Sequence, residues 1–399
     1  MISHLGTFDV ENYGDLLYPI VFGHLVNKNG SRQVRHYSPL PTTAPQEAGF
    51  QTDSISTLFA ETAGPHNVII GGGDLLRSDW NVFASHYSAN SRSIGSLNAV
   101  NYLLRTKIPR GEPATFFASR FRDRWLNYAN AGPFLIDSER LPQGSSVSYL
   151  SCGVPHEFTA TERESVKRIF NQSRFIYLRD EQSAEKLRRA GVEREIHVAP
   201  DLAITLSDQF DKQEQMRRGR EIVSAIGIEP ESSFLCFQCK PYPDFREEEI
   251  VDELKRYHER TKRPVVLLPI GHCHGDAQFL QDLARRSGGL LKYADVYSVA
   301  DILSVIAASD LFIGTSLHGN VTASSYGIPH LFGPLPVDKT AGFLDVMNLP
   351  AELLLRSWTE MNERIDFAIE LGHEFFSKRA ALGKAKVYRV VEEMLRNND

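Results

Sequence analysis

The chain has 399 residues, 42% of them hydrophobic and 24% charged, with a formal net charge of −6. That length exceeds one compact core of the commonest size and predicts two domains. The acidic balance excludes a protein that coats nucleic acid with a basic surface. No apolar run reaches the length of a membrane span, and Met1-Ile2-Ser3-His4-Leu5-Gly6 lacks the basic flank and apolar stretch of an export signal. The chain therefore reads as cytoplasmic, with contact to a membrane surface left open.

Short apolar runs alternate with amphipathic stretches, the pattern of a parallel α/β protein. Asn12-Tyr13-Gly14-Asp15 opens a helix after a first strand. Val68-Ile69-Ile70 is a short buried strand that runs into Gly71-Gly72-Gly73 and Asp74. This is not a Walker A loop, since no Gly-Lys-Ser/Thr follows. Nor is it a full G-x-G-x-x-G, since Leu76 stands where the last glycine belongs. Between Thr115 and Asn130, Phe117, Phe121, Trp125 and Tyr128 recur at helical spacing, with Arg120, Arg122 and Arg124 interleaved. That composition suits an interfacial helix, or a core helix with solvated arginines. Ser148-Tyr149-Leu150 predicts a strand ending at Gly153. Phe175 to Leu178 predicts another, followed by a helix from about Glu181 to Ala190 that Gly191 stops.

The polar segment from Ser207 to Arg220 has no strand pattern and predicts a domain junction nearby. A second series follows it, with strands at Phe234–Cys239, Val265–Leu268, Leu311–Ile313 and Pro329–Phe332 and helices over 276–286 and 300–308. Four cysteines do not make a disulfide framework. Cys236 and Cys239 form a C-x-x-C, but on a strand residues three apart point to opposite faces, so they read as buried thiols. His272-Cys273-His274-Gly275-Asp276 has metal-like density without a second ligand cluster. Contact of His272 or His274 with a bound phosphate is the expectation there, with Asp276 as N-cap of the helix that follows.

Several of these segments, in order, resemble the polysaccharide pyruvyl transferase family. They are Asn12-Tyr13-Gly14-Asp15, Ile69 to Asp74, Leu178-Arg179-Asp180-Glu181-Gln182-Ser183, Ala199-Pro200-Asp201, Gly314-Thr315-Ser316-Leu317-His318-Gly319, Gly327-Ile328-Pro329 and Lys339. The resemblance implies two Rossmann-like α/β domains facing a cleft, a GT-B-like fold, with 1–207 on the acceptor side and 208–399 on the phosphoenolpyruvate side. It implies transfer of pyruvate from phosphoenolpyruvate, as a ketal, to a sugar of a polysaccharide or lipid-linked glycan. Phosphoenolpyruvate would be the donor substrate, with no further cofactor and no metal. Many family members carry an arginine just before the Leu-His pair; this chain has Ser316 there.

His318 is the candidate acid or base, just after a strand and beside a helix N-terminus that favours anions; a packed loop histidine is the plain alternative. Ser316 as N-cap and Gly319, for close backbone approach, would complete that donor end. Lys339 matches a lysine near the donor in the family, against a solvated surface lysine. Arg179, at a strand end, suits a bidentate grip on a carboxylate, or else a structural pair with Asp180 or another acid. Gly72, Gly73 and Asp74 would cradle a sugar or phosphate, or form a turn only. Asn12 and Asp15 would line the cleft, or cap a helix. Two rival functions remain on the same residues: a GT-B glycosyltransferase using a nucleotide sugar, and a non-catalytic sugar-binding or assembly protein.

Overall fold

The computed structural model describes residues 1–30, 32–39, 41–42, 51–60, 64–76, 132–335 and 339–397. The aromatic and arginine segment 115–130 lies outside the described residues. Strands β1 (Ile2–Leu5), β2 (Val34–Ser38), β3 (Asp53–Ser54), β4 (Asn67–Gly71), β5 (Ser146–Cys152), β6 (Phe175–Leu178) and β7 (His197–Val198) form one sheet. Its order is β3-β2-β1-β4-β5-β6-β7, and every pairing is parallel. Strands β8 (Leu235–Gln238), β9 (Val265–Leu267), β10 (Lys292–Tyr293), β11 (Leu311–Gly314) and β12 (His330–Phe332) form a second parallel sheet, ordered β10-β9-β8-β11-β12.

The strands are short and apolar because helices cover both faces of each sheet. In the first sheet the side-chain alternation is clean. Ile69, Leu150, Phe175 and Tyr177 enter the core that continues into the second sheet's layer. Val68, Ile70, Val147, Tyr149, Ile176 and Leu178 enter a separate core on the other face. The shared core means that burial of apolar surface, at about 25 cal/mol per Å², holds the two halves together as well as each half alone.

Polar contacts pin the halves too. The Tyr13 and Thr322 hydroxyls are 2.8 Å apart, and the Ser325 hydroxyl donates to the Ile204 carbonyl at 2.7 Å. The last helix, Met361–Asn397, breaks at Gly372 (φ 72°, ψ 166°). Beyond the break Lys384 donates to Asp208 at 2.6 Å, and Arg32 reaches the Leu395 carbonyl at 2.9 Å. The polar segment 207–220 is mostly helical. Asp211 caps the helix Lys212–Ala225 through the Glu214 amide at 3.0 Å, and that helix lies on the helix Val299–Ala308. Gly219 makes the contact: a Cβ there would come within 2.1 Å of the Ser304 carbonyl oxygen. Cys236 and Cys239 are buried free thiols. Among the described residues no helix is long and apolar enough to cross a membrane.

Candidate active site

In an open parallel sheet the crevice for a ligand opens at the carboxyl ends of the strands where the strand order reverses. Here that happens twice, between β1 and β4 and between β8 and β11. The two reversal points face each other across a cleft of about 300 Å³. One wall carries Thr7, Asn12, Asp15, Gly73, Asp74 and Arg179; the other carries Gln238, Lys240, His274, Asp276, Thr315, Ser316 and His318.

On the first wall Asp15 accepts from Thr7 Oγ1 at 2.8 Å and from Asn12 Nδ2 at 2.7 Å. Asn12 stands at the N-cap of the helix Tyr13–Lys28, yet its side chain caps nothing and turns to Asp15 instead. Arg179 follows β6 and is buried. Its guanidinium is hydrogen-bonded to Asp74 and lies 3.8 Å from both Asp180 and Asp201. Burial opposes its charge, but Asp74, Tyr18, Asp201 and Asp180 outweigh that and hold its pKa above the ordinary value. Gly153 makes room for this pair, since a Cβ there would sit 2.7 Å from both Arg179 Nη2 and Asp74 Oδ1. Arg179 thus faces the cleft while already holding carboxylates of its own chain.

On the second wall β11 hands over to the helix Leu317–Ser325. Ser316 is its N-cap, accepting from the Gly319 amide at 3.2 Å. Gln238, at the end of β8, fixes this corner: its Oε1 accepts from the Ser316 amide at 2.8 Å, and its Nε2 donates to Asp276 at 2.6 Å. Asp276 also accepts from the Gly271 amide at 3.0 Å. Burial pushes this carboxyl up to about 6, against those two bonds. Lys240 stands over the Tyr242 ring, 4.6 Å from its centroid.

His318 closes the cleft between the walls, its side chain 12% exposed. Its Nε2 lies 3.1 Å from the Tyr18 hydroxyl and 3.5 Å from Asp201 Oδ2. Tyr18 donates to the same Asp201 oxygen at 2.5 Å. Burial pushes Asp201 up, but His318, Arg179 and Tyr18 reverse this and hold its carboxyl below the usual range.

Three expectations need correction. Gly72 is not on the cleft: it has φ +95°, and a Cβ there would enter the Tyr18 ring at 2.3 Å, so its role is packing under the site. Gly319 likewise packs against Phe312, whose ring would be 2.6 Å from a Cβ, and its amide is spent on Ser316. Asp276 is not an N-cap; Gly275 occupies that position with φ 85°, and the carboxyl turns inward to Gln238. Of the two histidines, His274 lines the cleft, whereas His272 donates to the Val296 carbonyl at 3.0 Å and stacks on Tyr297. Lys339 begins the helix Lys339–Met347, which abuts Asp180 through Gly342; its side chain lies outside the description.

The sequence reading missed Lys240, Tyr18 and Gln238 and gave Asp201 no role. Lys240 could have been found from its place, just past a strand end like Arg179. Tyr18 looks like any core aromatic on its helix. Among the described residues no group of three or more His, Cys, Asp or Glu side chains is arranged to hold a metal.

A family model described as polysaccharide pyruvyl transferase matches residues 12–332. No curated protein matches the chain in sequence. Among solved structures it is similar to a UDP-GlcNAc 2-epimerase from Neisseria meningitidis bound to UDP-GlcNAc, with 11% identity, TM-score 0.53, and 99% of this chain and 98% of that chain covered. A glycosyltransferase from Rickettsia africae gives 10%, 0.53, 99% and 97%. The HepE protein of Anabaena in complex with UDP and glucose gives 13%, 0.50, 99% and 98%. At such identity the likeness concerns fold alone, and it establishes the GT-B-like arrangement of two α/β domains.

Proposed function

The chain belongs to the polysaccharide pyruvyl transferase family, and on that premise we propose that it moves pyruvate from phosphoenolpyruvate onto two hydroxyls of a glycan or lipid-linked sugar as a ketal. The enol methylene of the donor takes a proton and becomes a methyl group. The cationic carbon is attacked by one sugar hydroxyl, the carbon–oxygen bond to phosphate breaks, and a second hydroxyl closes the ring. Two hydroxyl protons are released; one balances the proton gained by carbon and the other leaves on phosphate. The chemistry needs a proton carrier, cations for phosphate and carboxylate, and acceptors for hydroxyl protons.

The observation that carries this reading is His318. It sits in the cleft at a helix N-terminus, with Asp201 and Tyr18 at its Nε2. Lys240 and the first turn of the helix Leu317–Ser325 offer positive charge to a donor anion, which makes up for the serine at position 316. Arg179 joins them when the donor displaces Asp74. Residues 1–207, with Asp15, Asn12 and Asp74, form the acceptor side, and residues 208–399, with Lys339, the donor side. The test is incubation with phosphoenolpyruvate and a panel of glycan and lipid-linked acceptors, following inorganic phosphate and product mass. A parallel arm offers nucleotide sugars. Phosphate release dependent on acceptor is the expected result; release of a nucleotide in the second arm, with none of phosphate in the first, would overturn the reading in favour of a glycosyltransferase.

A further inference from the structure

The Ala199-Pro200-Asp201 segment does not line the cleft, yet its carboxylate is buried at the meeting point of the two domains. We infer that Asp201 and Tyr18 are positioning residues that lock His318 into one tautomer, with the proton on Nε2 and a lone pair on Nδ1.

Tyr18 has one hydroxyl proton and donates it to Asp201 Oδ2 at 2.5 Å. Its oxygen can therefore only accept from His318 Nε2, 3.1 Å away. Asp201 Oδ2, 3.5 Å from the same nitrogen, also only accepts. An unprotonated Nε2 would place three lone pairs together, so Nε2 carries hydrogen. The arrangement is stable against loss of either proton state. Burial and the neighbouring Asp201 raise the Tyr18 phenol well above its ordinary value, so the hydroxyl keeps its proton. The Ala203 amide, at 3.0 Å from Oδ1, and Arg179, at 3.8 Å from Oδ2, keep Asp201 ionised.

The far nitrogen has a different neighbourhood. Nδ1 lies against Gly14, where a Cβ would come within 2.1 Å of it. It has no hydrogen-bond partner among the described residues. Asn12 and Asp15 line the cleft on either side of Gly14 in sequence, while Gly14 itself packs beneath the ring. The glycine is thus required by the imidazole rather than by its helix. The groups in contact with His318 are Tyr18 from the helix Tyr13–Lys28 and Asp201 after β7, with Arg179 after β6 beyond Asp201. One domain holds the proton carrier and the other sets which nitrogen carries it.

This rests on the reading of His318 as proton carrier, but the tautomer can be read without substrate, so the two fail separately. The measurement is a two-bond proton–nitrogen NMR correlation of the full chain with labelled imidazoles, His318 being assigned by its loss in His318→Gln. The neutral wild-type ring should show the Nε2–H pattern. Asp201→Asn should add the Nδ1–H form and lower kcat by about 10²–10⁴-fold, the scale on which an imidazole loses its orienting carboxylate or its proton-transfer role. The phosphoenolpyruvate KM should change far less, and Asp201→Glu should recover part of kcat. If Asp201→Asn does not fold, Tyr18→Phe gives the same comparison. An Nδ1–H pattern in the wild type, or an unchanged tautomer in the folded variants, overturns the inference.

Discussion

The two walls of the cleft are built alike and charged differently. Each is the reversal point of a parallel sheet, with side chains from the ends of its two central strands. Among the described residues, the β1/β4 wall presents Asp15 and Asp74, and its one cation, Arg179, is already shared among Asp74, Asp180 and Asp201. The β8/β11 wall presents Lys240, His274, His318 and a capped helix N-terminus, and its one carboxyl among the described residues, Asp276, is buried with a raised pKa. A wall of carboxylates suits sugar hydroxyls; a wall with a lysine, imidazoles and a helix N-terminus suits a phosphorylated acid. On the proposed function, one topology would serve two substrate chemistries through the residues that follow each strand.

The largest expected effect comes from the group between the walls. His318→Ala should lower ketal transfer by about 10²–10⁴-fold with the fold intact by circular dichroism; near wild-type turnover would remove it from the mechanism. Next is the carboxyl on the basic wall. Asp276 has its folded pKa raised to about 6, above an unfolded value near about 3.9. Its contribution to stability is therefore full below about pH 4 and is lost as pH rises through about 6, a loss of about 3 kcal/mol. Urea unfolding of wild type and Asp276→Asn at several pH values should show the difference between them moving in favour of the variant across that window. A pH-independent difference would mean that the carboxyl is not raised.

Smaller effects separate donor from acceptor. Lys240→Ala should raise the phosphoenolpyruvate KM by about 10–10²-fold, the loss of one charge-assisted partner, with the acceptor KM little changed. The reverse pattern would exchange the roles of the walls. Asp74→Asn should act in the opposite sense. If the donor competes with Asp74 for Arg179, the variant should bind phosphoenolpyruvate about 2–5-fold more tightly, measured by calorimetry without acceptor. Weaker donor binding would show that Asp74 supports Arg179 rather than occupying it.

Much of the fold was legible because parallel strands buried on both faces appear as short apolar runs, and glycine marks their ends. Phe175–Leu178 coincides with β6, and the helix capped by Ser316 begins where its cap predicts. His318, Arg179, Asn12, Asp15, Gly73 and Asp74 were legible as residues just past strands or at a helix start, and the fold brings them to one cleft. What escaped depends on contacts between distant segments. Tyr18 meets His318 across 300 positions of sequence, and nothing in its own helix distinguishes it from a core aromatic. Gly14 looked like a helix-opening glycine, while its need is set by an imidazole from the other domain. Asp276 is the right residue type for an N-cap, but Gly275 takes that position and Gln238 draws the carboxyl inward.

The central claim is that this cleft protonates phosphoenolpyruvate and delivers its carbon skeleton to a sugar. The most direct measurement runs the reaction in deuterium oxide with an accepted glycan and reads the product by mass spectrometry and proton NMR. The expected product is a ketal whose methyl group holds one deuteron from solvent, with equimolar inorganic phosphate, formed about 10²–10⁴-fold more slowly by His318→Ala. A sugar product without a pyruvate ketal, or a ketal methyl without solvent hydrogen, would contradict it.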